Sequence, residues 1–93
     1  MTLEAISYGR QKFIEAISIL SGQEDIKTRV IAAFREIQPL ESEHFVDPED
    51  FRRFSNLRLK LASSEDFIKK GSLEEALAVS GIMSSLAAAV ILK

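Results

Sequence analysis

The sequence has no cysteine and no tryptophan, and His44 is its single histidine. Without cysteine there is no disulfide framework, no thiolate zinc site and no cysteine nucleophile. One histidine excludes a histidine-rich metal site, and the chain has no glycine-rich phosphate loop, Walker motif or EF-hand loop. We therefore expect no cofactor and no metal, and we expect the protein not to be an enzyme.

Carboxylates are plentiful, but their spacing is typical of helix starts rather than of catalytic pairs. Glu41 and His44 have the Glu-x-x-His spacing of di-iron bundles, yet this pair occurs once and lies outside any helical pattern. We interpret the match as chance. A small enzyme remains an alternative only if the fold forms a pocket that brings Arg10, His44 and acids together.

Charge gives little support for a nucleic-acid partner. Twelve Lys and Arg against fourteen Asp and Glu leave a net charge of -2, the wrong sign for a dedicated nucleic-acid domain. Arg52, Arg53 and Lys60 do share one side of a predicted helix, so a nucleic-acid-associated regulatory protein is the alternative function. Glu49 lies three and four residues before the two arginines and predicts helical ion pairs on a solvated face. We therefore do not expect nucleic acid to be a partner.

The first residues do not resemble a secretory signal. Glu4 stands where a signal has basic residues, and Arg10, Lys12 and Glu15 interrupt any apolar stretch. We expect a cytoplasmic location. The size and style of the chain are typical of bacterial or phage-encoded proteins.

Only four glycines and two prolines are present, and nearly all of them fall where helices would begin or end. Apolar residues between them recur at spacings of three, four and seven. The pattern predicts one all-α domain over residues 1–93, a compact and mainly antiparallel four-helix bundle. The predicted helices cover 2–21, 24–38, 48–70 and 73–92, with an irregular connection at 39–47. A helix break at Ser63-Ser64 and a short strand at 57–61 are the alternatives within the third segment.

The last helix is almost wholly apolar and carries no charge from Ala76 to Leu92. Its large side chains surround the axis, and a helix that is apolar all round must be covered all round. The run is only just long enough to span a bilayer, and it contains Ser80, Gly81 and Ser84. We therefore expect a core helix and no membrane partner.

Three short helices do not provide enough surface to cover such a helix, so part of it should face a partner. Frayed helix from Ala87 to Leu92 is the alternative explanation. We predict a small non-catalytic protein–protein interaction module, either a homodimer or an inhibitor or adaptor that presents a helical apolar face. The candidate interface residues are Leu59, Phe67, Ile82, Leu86 and Ala89.

Overall fold

The structure is a computed structural model, and it describes residues 2–61 and 70–93. Within these residues the elements are α1 (Leu3–Leu20), α2 (Ile26–Ile37), a 3-10 turn (Ser42–His44), α3 (Pro48–Lys60) and α4 (Leu73–Ile91). The predicted all-α, four-helix arrangement is confirmed. Its mainly antiparallel packing stays a prediction.

The third helix is shorter than the sequence suggests. It ends at Lys60, and Leu61 has left the helical conformation with φ −102° and ψ 17°. The strand alternative for 57–61 is wrong, because these residues form the last helical turn and its cap. The break considered at Ser63-Ser64 and the candidate residue Phe67 lie outside the described residues.

Each of the four helices begins at a side chain that caps its free amide groups. The cap oxygens accept a backbone N–H at 2.9–3.1 Å, and they belong to Thr2, Asp25, Asp47 and Ser72. Asp25 also accepts from the Thr28 hydroxyl at 2.6 Å. These bonds from Thr28 hold the pKa of Asp25 below its ordinary value, since they stabilise the carboxylate. Local chemistry therefore fixes the helix starts.

One apolar core runs through all four helices. Its aromatic part joins Phe13 of α1 and Phe54 of α3, whose ring centroids lie 6.4 Å apart. Phe45 comes from the connection between α2 and α3, and its ring lies 5.9 Å from Phe13 and 5.3 Å from Phe54. The connection that we expected to be irregular thus supplies a core residue through its 3-10 turn.

The 3-10 turn packs closely on α1 at Gly9. A Cβ atom at this position would lie 2.4 Å from the carbonyl oxygen of His44. The neighbouring Tyr8 ring packs against the imidazole at a tilt of 46°, with ring centroids 5.3 Å apart, and His44 Nδ1 accepts the Glu41 N–H at 2.9 Å. Gly9 is therefore required by a close approach between two backbones.

Lys93 ties the end of α4 to the start of α3. Its ammonium group lies 2.7 Å from both Asp47 and Asp50. The side chain of Asp50 is buried, and its other ion-pair partner, Arg53, is more distant at 3.9 Å. Lys93 lowers the pKa of Asp47, and the two carboxylates raise the pKa of Lys93. These ion pairs therefore connect α3 and α4 at one end of the helix pair.

We expect Lys93→Met to destabilise the fold at neutral pH. The substitution leaves the buried Asp50 carboxylate without its nearest cation, and a buried acceptor without its partner costs about 1–3 kcal/mol. Because the Asp47 pKa is lowered and the Lys93 pKa is raised, the stabilisation is present from about pH 4 to about pH 10. It is lost as the pH falls through the folded pKa of Asp47 or rises through that of Lys93.

Urea denaturation at pH 7 and at pH 3 checks this expectation. The difference between parent and variant should be clear at pH 7 and smaller at pH 3. Lys60→Met is the control, because Lys60 is exposed and has no ion pair within the described part of the chain. An equal loss at both pH values would contradict the role given to the carboxylates.

Candidate protein-binding groove

The core of the bundle covers only one side of α4. Its inner side contributes buried residues throughout its length, whereas Leu73, Leu77, Ile82 and Leu92 are exposed. The smaller residues Ala78, Gly81, Ser84, Ser85 and Ala88 are exposed as well. The predicted excess of apolar surface on the last helix is therefore present, and it forms a face without charges beyond the first turn.

Beside this face, α3 and α4 border an open groove of about 540 Å³. Four residues of each helix line it, at spacings of three, four and seven: Arg53, Asn56, Leu57 and Lys60 from α3, and Ala78, Gly81, Ile82 and Ser85 from α4. Such spacing places each set along one stripe of its helix. We call this feature the α3–α4 groove.

The groove combines an apolar floor with a basic rim. Ala78 and Ile82 provide exposed aliphatic surface above the buried Leu57, while Arg53 and Lys60 lie one at each end of the α3 stripe. The Arg53 guanidinium donates to Ser85 Oγ at 3.0 Å, which holds it across the groove. Among the described residues that line it, none is acidic and none is a histidine. The arrangement suits an apolar ligand that also carries negative charge.

Gly81 lies on the floor of the groove, and packing within the described residues does not require a glycine there. A Cβ atom at this position meets nothing within 4 Å. Glycine inside a helix costs about 1 kcal/mol relative to alanine. The glycine does leave room for close approach by another chain.

The structure separates the five predicted interface residues. Ile82 lines the groove and is 39% exposed. Leu59 is 75% exposed, but it lies outside the groove lining. Leu86 is fully buried and Ala89 is half-buried, so Leu86 belongs to the core and not to an exposed face. Phe67 lies outside the described residues.

The basic residues proposed for nucleic acid are also divided. Arg52 forms an ion pair with Glu49, as the helical spacing predicted, and does not line the groove. The pairing raises the pKa of Arg52 and lowers that of Glu49. Arg53 is engaged by Ser85 and lies near Asp50. Lys60 alone of the three has no ion pair in the described part of the chain, and the three do not form one open basic surface.

His44 and Arg10 do not contribute to the groove. His44 Nδ1 is used by the backbone of Glu41, and the ring packs on Tyr8. Arg10 is half-buried, and its Nε has no hydrogen-bond partner among the residues that the structure describes. Among the described residues no three His, Asp or Glu side chains are grouped as metal ligands would be.

By length and composition, α4 passes the test for a membrane-crossing helix, and it is the single helix in residues 2–61 and 70–93 that does so. About 33% of its most apolar window is buried inside the protein. The core helix of a soluble protein passes the same test, so the result is weak support for a membrane span.

Ile82 and the two basic rim residues were predicted from the sequence, which also places Asn56 on the same side of α3 as these cations. Leu57 and Ala78 were missed as parts of the same surface. The available signal was the i, i+3, i+4, i+7 spacing on each helix. What joins the two stripes is the pairing of α3 with α4 in space.

No protein-family model matches this sequence, and no curated protein or solved structure matches it significantly.

Proposed function

We propose that this protein is a non-catalytic protein–protein interaction module that receives an amphipathic helix of another protein in the α3–α4 groove. The observation that carries the proposal is the uncovered apolar face of α4 beside an open groove with an aliphatic floor. A groove between two helices is a common receptor for a third helix, which presents apolar residues at i, i+3, i+4 and i+7.

Binding would rest on burial of apolar area, which contributes about 25 cal/mol per Å². Ile82 and Ala78 offer the exposed aliphatic contacts, and Gly81 permits the close approach of the bound helix. No bond chemistry is involved. Such a module acts as an inhibitor when the bound helix is needed elsewhere, or as an adaptor when it links two proteins.

The charge of the groove favours a different protein over a second copy of this chain. Arg53 and Lys60 border the floor, and the exposed face of α4 carries acids only at adjacent positions, Glu74 and Glu75, in its first turn. A symmetric pairing of two α4 helices would bring mainly uncharged small residues against these cations. An acidic amphipathic helix complements them better.

We expect Ile82→Gln to weaken binding of such a helix about tenfold or more, because it replaces an aliphatic side chain on the floor by a polar one. The ligands are helices selected by display from a library with a fixed apolar stripe and random flanking positions. Affinity is measured by fluorescence anisotropy, and the binding site is mapped by NMR chemical shifts.

Ile14→Gln is the matched control. Ile14 is 46% exposed on α1, close to the 39% of Ile82, but it does not line the groove. It should leave affinity unchanged. Selection of no binders, or of binders mapped away from the α3–α4 groove, would overturn the proposal. If the protein sedimented as a dimer at micromolar concentration and Ile82 were protected in that dimer, the occupant of the groove would be a second copy and not a helix of another protein.

A further inference from the structure

The next inference rests on the proposed function and specifies the chemistry of the bound helix. We propose that this helix carries two acidic residues seven positions apart, one for Arg53 and one for Lys60, beside its apolar stripe.

Arg53 and Lys60 are separated by seven residues, which is two helical turns and about 10.5 Å along the axis. Both border the groove, and Leu57 lies between them on the same stripe. A helix that lies along α3 rises by the same amount per residue. Its carboxylates meet both cations when they are also two turns apart.

Both cations have capacity for a further partner. Arg53 uses one amino group for Ser85 and lies 3.9 Å from Asp50. Asp50 itself is closer to Lys93, at 2.7 Å, so the other donors of the guanidinium remain for an incoming carboxylate. Lys60 is exposed and has no ion pair within the described residues.

Gly81 lies between Ala78 and Ser85 along the α4 side of the floor, where a Cβ atom would meet none of the described residues within 4 Å. The floor of the groove is therefore deepest at Gly81, between the two cations. A bound helix can sit deepest at this point with a small residue, while its acids reach the rim on α3.

A second copy does not provide this ligand from the part of the chain that the structure describes. The acids of α1 are Glu4 and Glu15, which are eleven residues apart, and α2 contains only Glu36. On α3 and on α4 the two acids are adjacent to each other. The charge pattern thus points to a helix of a different protein.

The test uses two synthetic 18-residue helical peptides based on alanine. Each has leucines on one stripe, and they differ only at two flanking positions seven apart, which are Glu in one and Gln in the other. Exposed ion pairs strengthen binding by up to about fivefold each. We expect the Glu peptide to bind the full chain about tenfold more tightly at low salt, with the difference shrinking as salt rises.

Lys60→Gln should weaken binding of the Glu peptide about three- to fivefold and leave the Gln peptide unchanged. Arg52→Gln is the control, because it removes a cation that lies outside the groove. A peptide with Lys in place of the acid nearest Lys60 should bind the parent protein weakly, and Lys60→Glu should restore its affinity. Circular dichroism confirms that each variant is folded.

Equal binding of the Glu and Gln peptides in the groove would overturn the acidic partner while leaving the proposed function intact. Failure of the Glu peptide to bind would also overturn this inference. In that case the display selection decides the proposed function independently, because its flanking positions are random. Selected helices that bind in the groove without acids seven positions apart would likewise overturn the acidic partner and leave the proposed function intact.

Discussion

Gly9→Ala is expected to lower the free energy of unfolding by about 2 kcal/mol, although alanine is the better helix former. The new Cβ atom would lie 2.4 Å from the His44 carbonyl oxygen and 3.0 Å from its Cβ. The clashing oxygen belongs to the backbone, so the 3-10 turn must move as a unit. That movement weakens the packing of His44 on Tyr8 and shifts the neighbouring Phe45 in the core.

Gly81→Ala is the matched control for this substitution. Gly81 is also within a helix, but a Cβ atom there would meet none of the described residues within 4 Å. It should raise the free energy of unfolding by up to about 1 kcal/mol through helix propensity. Urea denaturation followed by circular dichroism measures both variants. A Gly9→Ala variant that matches or exceeds the parent in stability would show that the 3-10 turn does not pack on α1 as described.

The helix starts were predictable because their causes lie within three or four residues. Thr2 and Ser72 each cap the N–H three residues ahead, and Asp47 caps that of Glu49. Pro48 at the first helical position needs no hydrogen bond for its nitrogen. These helix starts depend on short segments of the chain, so they can be predicted almost completely from the sequence.

The end of α3 and the contact at Gly9 were not predictable in the same way. The spacing of Phe54, Leu57 and Leu61 fits a longer helix, and the break that the sequence suggests, at Ser63-Ser64, lies beyond Leu61. Gly9 stands in the middle of a helical pattern, and the group that requires it, His44, is 35 residues further along. Both depend on tertiary packing, which single-sequence periodicity does not contain.

The sequence likewise did not indicate which side of α4 is buried and which is exposed. A helix that is apolar on all sides has no angular preference that would indicate which face is covered. The sequence therefore predicted an excess of apolar surface, and this is confirmed, but it could not distinguish Leu86 from Ile82. The two differ in structure because α1, α2 and α3 pack on only one side of α4.

Leu86→Ala is expected to lower the free energy of unfolding by about 2–5 kcal/mol, the usual cost of deleting a fully buried leucine side chain. Leu86 is 0% exposed and packs within the core that joins the four helices. For a chain of this length the total is about 5–14 kcal/mol, so the loss is a large share of it. Leu77→Ala is the control on the same helix, because Leu77 is 53% exposed and should change stability by less than about 0.5 kcal/mol. Thermal and urea denaturation measure both variants. If Leu86→Ala kept full stability and lost only the binding of a helix, Leu86 would belong to the interface that the sequence predicted, and the orientation of α4 described above would be wrong.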